Sequence, residues 1–118
     1  SCATLSVEPL VFGKFLKAGQ HVDLVGAYKP NMREADDELI KTVDIYIDTN
    51  MAKKETGDIK IPLDTNVICE DDIKADLFEL TREQKAGRIS DSSITLFKSV
   101  GHGLEDLAAA KLVKEKLS

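Results

Sequence analysis

Residues 94–106, ITLFKSVGHGLED, restrict the folds open to this chain more than any other stretch. Ile94, Leu96, Phe97 and Val100 are strand formers. Gly101 and Gly103 permit a sharp turn, a positive φ or a close backbone approach. Glu105 and Asp106 then fall in the first turn of a helix, where the aligned peptide dipoles favour negative charge. A strand that runs straight into a helix belongs to βα architecture, and such sheets build their sites outside the carboxyl ends of the strands.

The rest of the chain repeats that alternation. Cys2–Leu5 reads as the close of a strand whose beginning is absent, which predicts a chain that is a piece of a longer protein. Residues 9–16 read as a turn or short helical piece closed by Gly19. Val22, Leu24 and Val25 form a short strand that ends at Gly26. Residues 30–41 read as a helix, with Pro30 at its first position, acids in the early turns and Met32, Ala35, Leu39 and Ile40 on one face. A strand at 43–47 leads to a short helix at 51–55 that Asp48 or Thr49 can cap. Pro62 keeps residues 58–63 off a central strand, so they read as an edge or a loop. Residues 71–85 read as an amphipathic helix stopped by Gly87, and 104–117 as the last helix with Leu104, Leu107, Ala108 and Leu112 along one stripe. The fold class is α/β: one domain over residues 1–118, with a mainly parallel sheet flanked by helices, showing about half of a doubly wound set of strands.

The bulk properties bound the function. A content of 42% hydrophobic residues with a mean hydropathy of −0.18 suits a soluble globular protein. No apolar run approaches the ~20 residues of a membrane span, so no membrane partner is expected. The net charge of −5 argues against a nucleic-acid surface. Cys2 and Cys69 form no C-x-x-C pattern and read as two reduced thiols of a cytoplasmic protein. His21 and His102 lie near neither each other nor the cysteines in sequence, so no metal site is expected.

Two loops at strand ends qualify as sites. One is Gly26-Ala27-Tyr28-Lys29-Pro30, where Gly26 lets a ligand approach the backbone. The other is Lys98-Ser99-Val100-Gly101. The run G-H-G-L-E-D is similar to the opening of a dinucleotide fingerprint, but Asp106 stands where the last glycine belongs. Two carboxylates in that helical turn repel a pyrophosphate and suit a neutral or cationic group, such as a carboxamide or an amine. Ser99 and His102 lack the elbow that a serine nucleophile needs. Lys29 and Arg33 read as solvent-facing.

Three motifs, HVDLVGAYKPNMREADDEL, ETGDI and ITLFKSVGHGLEDLAAAKLV, occur in order and together resemble the C-terminal half of the ornithine cyclodeaminase/mu-crystallin family. The resemblance runs from CATLSVEPL onward over nearly the whole chain. It implies a bilobed, dimeric NAD(P)-dependent protein, of which this chain is the second half of the Rossmann-like domain plus the C-terminal helix. The glycine-rich phosphate loop and the substrate-binding Arg and Lys residues would precede Ser1, so the chain alone is expected to be inactive. The resemblance places Val25, Gly26, Ala27 and Tyr28 along the nicotinamide side of NAD or NADP. Ser99 would hold the nicotinamide, Val100 would face the substrate, Cys2 would lie near the adenosine or ribose, and Met32 falls where some members place a cofactor-contacting lysine.

Cyclodeaminases carry an aspartate directly after the V-G-G/A stretch, and here that catalytic position is Tyr28. A phenol with a reference pKa of about 10 is a poor general base at neutral pH. The resemblance therefore points to the members similar to alanine dehydrogenase and the ketimine reductases, acting on a small amino acid or cyclic imine. Conversion of ornithine to proline and ammonia, or a non-catalytic crystallin-like role that binds NAD(P)H, are the alternatives.

Overall fold

Four short strands lie parallel in one sheet in the order β1-β4-β2-β3. They are β1 (His21–Leu24), β2 (Asp44–Ile47), β3 (Ile73–Asp76) and β4 (Thr95–Lys98). The helices are α1 (Asp37–Thr42), α2 (Ala52–Glu55), α3 (Gly57–Asp64), α4 (Leu77–Thr81) and α5 (Gly103–Leu117), with a short 3-10 turn at Gly13–Phe15. The structure is a computed structural model and describes residues 1–117. Its strand–helix alternation is the α/β class that the pattern predicts. Among the described residues, no helix is long and apolar enough to cross a membrane, and no group of three or more His, Cys, Asp or Glu residues is placed to hold a metal ion.

Register explains the core. Val22 pairs with Leu96, which pairs with Ile45, and one step on Leu24, Lys98 and Ile47 form the next row. Successive strand side chains alternate faces, so both rows lie on the same face. That face packs on Leu39 and Ile40 of α1, Ala52 of α2 and Ile59 of α3 to make one buried cluster. Lys98 continues the apolar stripe of Leu96 and is fully buried. Cys2 extends the sheet past β1 through a single parallel bridge to Leu24.

Three predicted elements are corrected. The helix expected at 30–41 starts only at Asp37, because the preceding main chain bonds to remote segments instead of to itself. Arg33 N–H donates to the Ser6 carbonyl, and the Glu34 and Ala35 N–H groups donate to Asp58. Pro30 therefore sits in a turn, and Asp36 caps the helix by accepting from Leu39 N–H at 2.8 Å. Residues 58–63, expected as edge or loop, are the helix α3. Thr56 caps it, and Pro62 removes a single backbone donor from a two-turn helix.

The helix expected at 71–85 is divided: β3 comes first, pairing with β2, and α4 begins only at Leu77. The reciprocal capping box of Asp76 and Glu79 sets that start. Ile73 and Ala75 point inward with Lys74 outward between them, a period of two in a segment whose Ile73, Leu77 and Leu80 also fit a period near 3.6. The last helix forms as expected, but its stripe is open: Leu104, Leu107 and Leu112 are 56%, 48% and 56% exposed.

Candidate functional site

The carboxyl ends of β1 and β4 carry both loops singled out from the sequence. Ser99 N–H donates to the Leu24 carbonyl at 3.0 Å, so the Val25 and Ser99 loops leave the sheet side by side. Cys2 flanks β1 from the other side, donating from its N–H to Asp23 and accepting from Val25 N–H, each at 2.8 Å. Cys2, Val25, Gly26, Ala27, Ser99 and Val100 thus share one edge.

Gly26 has a different role from the one expected of it. A Cβ there would lie 2.2 Å from both the N and O of Thr4 and 2.4 Å from Glu34 Oε1. The glycine makes room for the protein's own chain rather than for a ligand. Ala27 follows at φ 48°, a left-handed conformation that costs a residue with a Cβ about 1 kcal/mol. It is held from both sides: its N–H donates to the Thr4 carbonyl at 2.8 Å and its carbonyl accepts from Thr56 Oγ1 at 2.7 Å. Tyr28 then turns outward and is half-exposed, with the Lys29 ammonium 5.9 Å from the centre of its ring. Met32 closes a turn on the Lys29 carbonyl, and its own carbonyl packs on Gly57 beneath the loop. Arg33, expected to face solvent, instead folds back onto the Ala35 carbonyl and pairs with Asp37 at 2.7 Å.

Beneath this turn lies a buried charge cluster. The Lys98 ammonium donates to the Gly26 carbonyl and lies 3.2 Å from Asp58 Oδ2 and 3.9 Å from Glu34 Oε2. All three side chains are fully buried. Each acid also grips backbone: Glu34 accepts from Thr4 N–H, and Asp58 accepts from the Glu34 and Ala35 N–H groups. Buried charges persist when they are paired and hydrogen-bonded. The sequence reading placed Lys98 in a strand-end loop but did not anticipate its burial or its pairing with Glu34 and Asp58. For Lys98 the available signal was the alternation that puts it in phase with Leu96.

Asp48 does for the second loop what Lys98 does for the first. It is buried at the end of β2, and its Oδ2 accepts from Ser99 Oγ at 3.1 Å, Val100 N–H at 2.7 Å and Gly101 N–H at 2.8 Å. Its Oδ1 accepts from Thr49 N–H at 2.7 Å. Asp48 therefore does not cap α2; Thr49 Oγ1 serves the Met51 N–H there. Gly101 closes the loop at φ 93°, as a glycine turn allows. Ser99 and His102 do not face each other as nucleophile and base, since Ser99 donates to Asp48 and His102 Nδ1 accepts from Leu104 N–H. Burial and the nearby Asp48 charge hold the Glu105 carboxyl above the usual carboxylate range. Glu105 and Asp106 stand in the first turn of α5, where the sequence pattern puts them.

Residues 1–118 match the ornithine cyclodeaminase/mu-crystallin family. The chain is 45% identical over 115 residues to Protein SAR DEFICIENT 4 of Arabidopsis thaliana, covering 98% of this chain and 35% of that protein. It is 40% identical over 116 residues to the ketimine reductase mu-crystallin of Rattus norvegicus, covering 98% and 34%. The structure superposes with a TM-score of 0.87 on Thermococcus litoralis Δ1-pyrroline-2-carboxylate reductase in complex with NADH and L-proline, at 40% identity, covering 97% of this chain and 36% of that one. The chain thus spans about a third of the length of the relatives it matches. With its parallel sheet and its doubly anchored strand-end loops, the chain belongs to the ornithine cyclodeaminase/mu-crystallin family.

Proposed function

We propose that this chain forms the nicotinamide-side half of an NAD(P)-dependent oxidoreductase that acts on a small amino acid or cyclic imine. The phosphate-binding loop and most substrate groups are supplied by sequence outside these residues. The observation that carries this reading is the edge at β1 and β4, where two adjacent loops are each fixed from below by a buried ionic side chain. Positioning of this kind suits hydride transfer, which depends on holding two carbons in register. When bound, the dinucleotide supplies or accepts the hydride.

The chain's own residues have distinct parts in this proposal. Val25 and Val100 form an apolar wall beside the ring and limit water there, while the fully buried Ala27 fixes the turn that presents them. Ser99 Oγ donates to Asp48 and accepts from Gly101 N–H, which leaves one lone pair free for the amide of a nicotinamide. Tyr28 donates a hydrogen bond from its half-exposed phenol and does not serve as a base, which favours imine reduction or amino-acid oxidation over cyclodeamination. A homodimer of the full-length protein belongs to the same proposal, supported by the open apolar stripe of α5.

The test compares NADH and NADPH binding, and NAD(P)H-dependent reduction of cyclic imino acids, between these residues alone and the full-length protein. The full-length protein is expected to bind and turn over, and the 118-residue chain to do neither. Tight dinucleotide binding by the chain alone, or no binding and no turnover by the full-length protein, would refute the proposal.

A further inference from the structure

Oδ2 of the Asp48 carboxylate is saturated. A carboxylate offers about four lone-pair sites, and four donors reach it: Ser99 Oγ, Val100 N–H and Gly101 N–H at Oδ2, and Thr49 N–H at Oδ1. No lone pair of Oδ2 remains for a ligand donor, and the fully buried carboxylate reaches this loop through Ser99 Oγ and the Val100 and Gly101 N–H groups. The hydroxyl hydrogen of Ser99 is drawn to this charged acceptor, a bond roughly twice as strong as a neutral one. One of its lone pairs faces Gly101 N–H at 3.2 Å. What Ser99 offers outward is a single acceptor, backed by a fully buried negative charge.

We propose that Asp48 is a positioning residue that fixes Ser99 as an acceptor, so that the site selects a ring carboxamide over a ring carboxylate or ketone. The proposal rests on the reading of Ser99 given above. A carboxamide brings an N–H to the free lone pair. A ketone brings only an acceptor, and two acceptors cannot bond. A carboxylate brings an acceptor and a charge toward the buried Asp48. The selection therefore comes from the direction of one hydroxyl hydrogen, set one residue behind the contact.

The experiment measures binding of the oxidised dinucleotide to the full-length protein by calorimetry, with three ring substituents: carboxamide, 3-acetyl and 3-carboxylate. The wild-type protein is expected to prefer the carboxamide by about tenfold over the acetyl form, and by more over the carboxylate, as one charge-supported hydrogen bond allows. Ser99→Ala is expected to weaken the carboxamide form about tenfold and leave the acetyl form within about twofold. Asp48→Asn removes the charge and weakens the hold on the hydroxyl hydrogen. It is expected to narrow the gap between carboxamide and carboxylate by about tenfold.

Equal loss of all three forms in Ser99→Ala, equal binding of the amide and ketone by the wild type, or an unchanged gap in Asp48→Asn would overturn the inference. A purely structural Asp48 would weaken all three forms alike. Should Asp48→Asn fail to fold, the Ser99→Ala ratios still decide. Failure of the full-length protein to bind any dinucleotide would instead refute the proposed function, and this inference with it.

Discussion

Replacing Lys98 with Met should be the most damaging conservative-volume change in the core. The ammonium lies between two fully buried carboxylates, at 3.2 Å from Asp58 and 3.9 Å from Glu34. At an effective dielectric of ~20, Coulomb attraction at those distances comes to about 5 and about 4 kcal/mol before desolvation. Removing the ammonium also removes its desolvation cost, so the measured loss is smaller, about 3–5 kcal/mol, as for other buried pairs broken on one side. In a chain of this size that corresponds to a fall in Tm on the order of 15 °C.

Urea titration followed by far-UV circular dichroism measures the loss. The triple variant Lys98→Met, Asp58→Asn, Glu34→Gln keeps the carbonyl acceptors that serve Thr4, Glu34 and Ala35 while removing every charge. It should recover more than half of the lost stability, because neutral replacement of a whole buried ion cluster is often tolerated. A loss under about 1 kcal/mol for Lys98→Met, or a triple variant less stable than the single one, would refute the electrostatic account of this cluster.

Two further perturbations follow from the same geometry. Gly26→Ala should cost at least about 2 kcal/mol in a denaturant titration, since its Cβ would meet main-chain atoms of Thr4 at 2.2 Å; Gly103→Ala, with open space around it, should stay within about 0.5 kcal/mol of the wild type. The Glu105 carboxyl has its folded pKa raised by burial and then by Asp48, from an ordinary value of 4.5. Its protonated form favours the fold, so its contribution is full below that ordinary value and is lost as pH rises through the raised one. Thermal melts from pH 4 to 8 should show that decline in the wild type and a flatter profile in Glu105→Gln; identical profiles would show that Glu105 does not carry it.

Much of the architecture was legible in residue order. The apolar runs VDLV, VDIYI and ITLF each became a strand, and KLVKEKL ended a helix, because those signals are local and unopposed. The failures occurred where two local signals compete. Residues 30–41 have a good helical face, yet Asp58, a residue remote in sequence, takes the Glu34 and Ala35 N–H groups and holds the chain extended until Asp36. β3 is four residues of strand that follow a run of acids and end on the Asp76 of a capping box, too short for periodicity to separate from a helix.

The site shows the same division. The Val25–Tyr28 turn and the Ser99–Val100 loop were singled out because they sit at strand ends beside glycines, and the structure places both there. That Lys98 and Asp48 anchor these loops was not legible, although Lys98 lies in phase with buried Leu96 on β4 and Asp48, just past β2, with buried Tyr46. Charged residues in such places usually signal the end of a strand. Here they are the partners that hold the loops.

The strand order has a consequence for how the chain acquires this structure during synthesis. β4 pairs with both β1 and β2, which do not pair with each other. One of the two inner strands is therefore made last of the four, and an emerging chain that stops before Thr95 has β1 and β2 with no bridge between them. Glu34 and Asp58 likewise wait for their cation until Lys98 is in place. Parallel pairing across such long connections closes slowly. The β1 side and the β2–β3 side of the sheet should thus join only once β4 has cleared the ribosome.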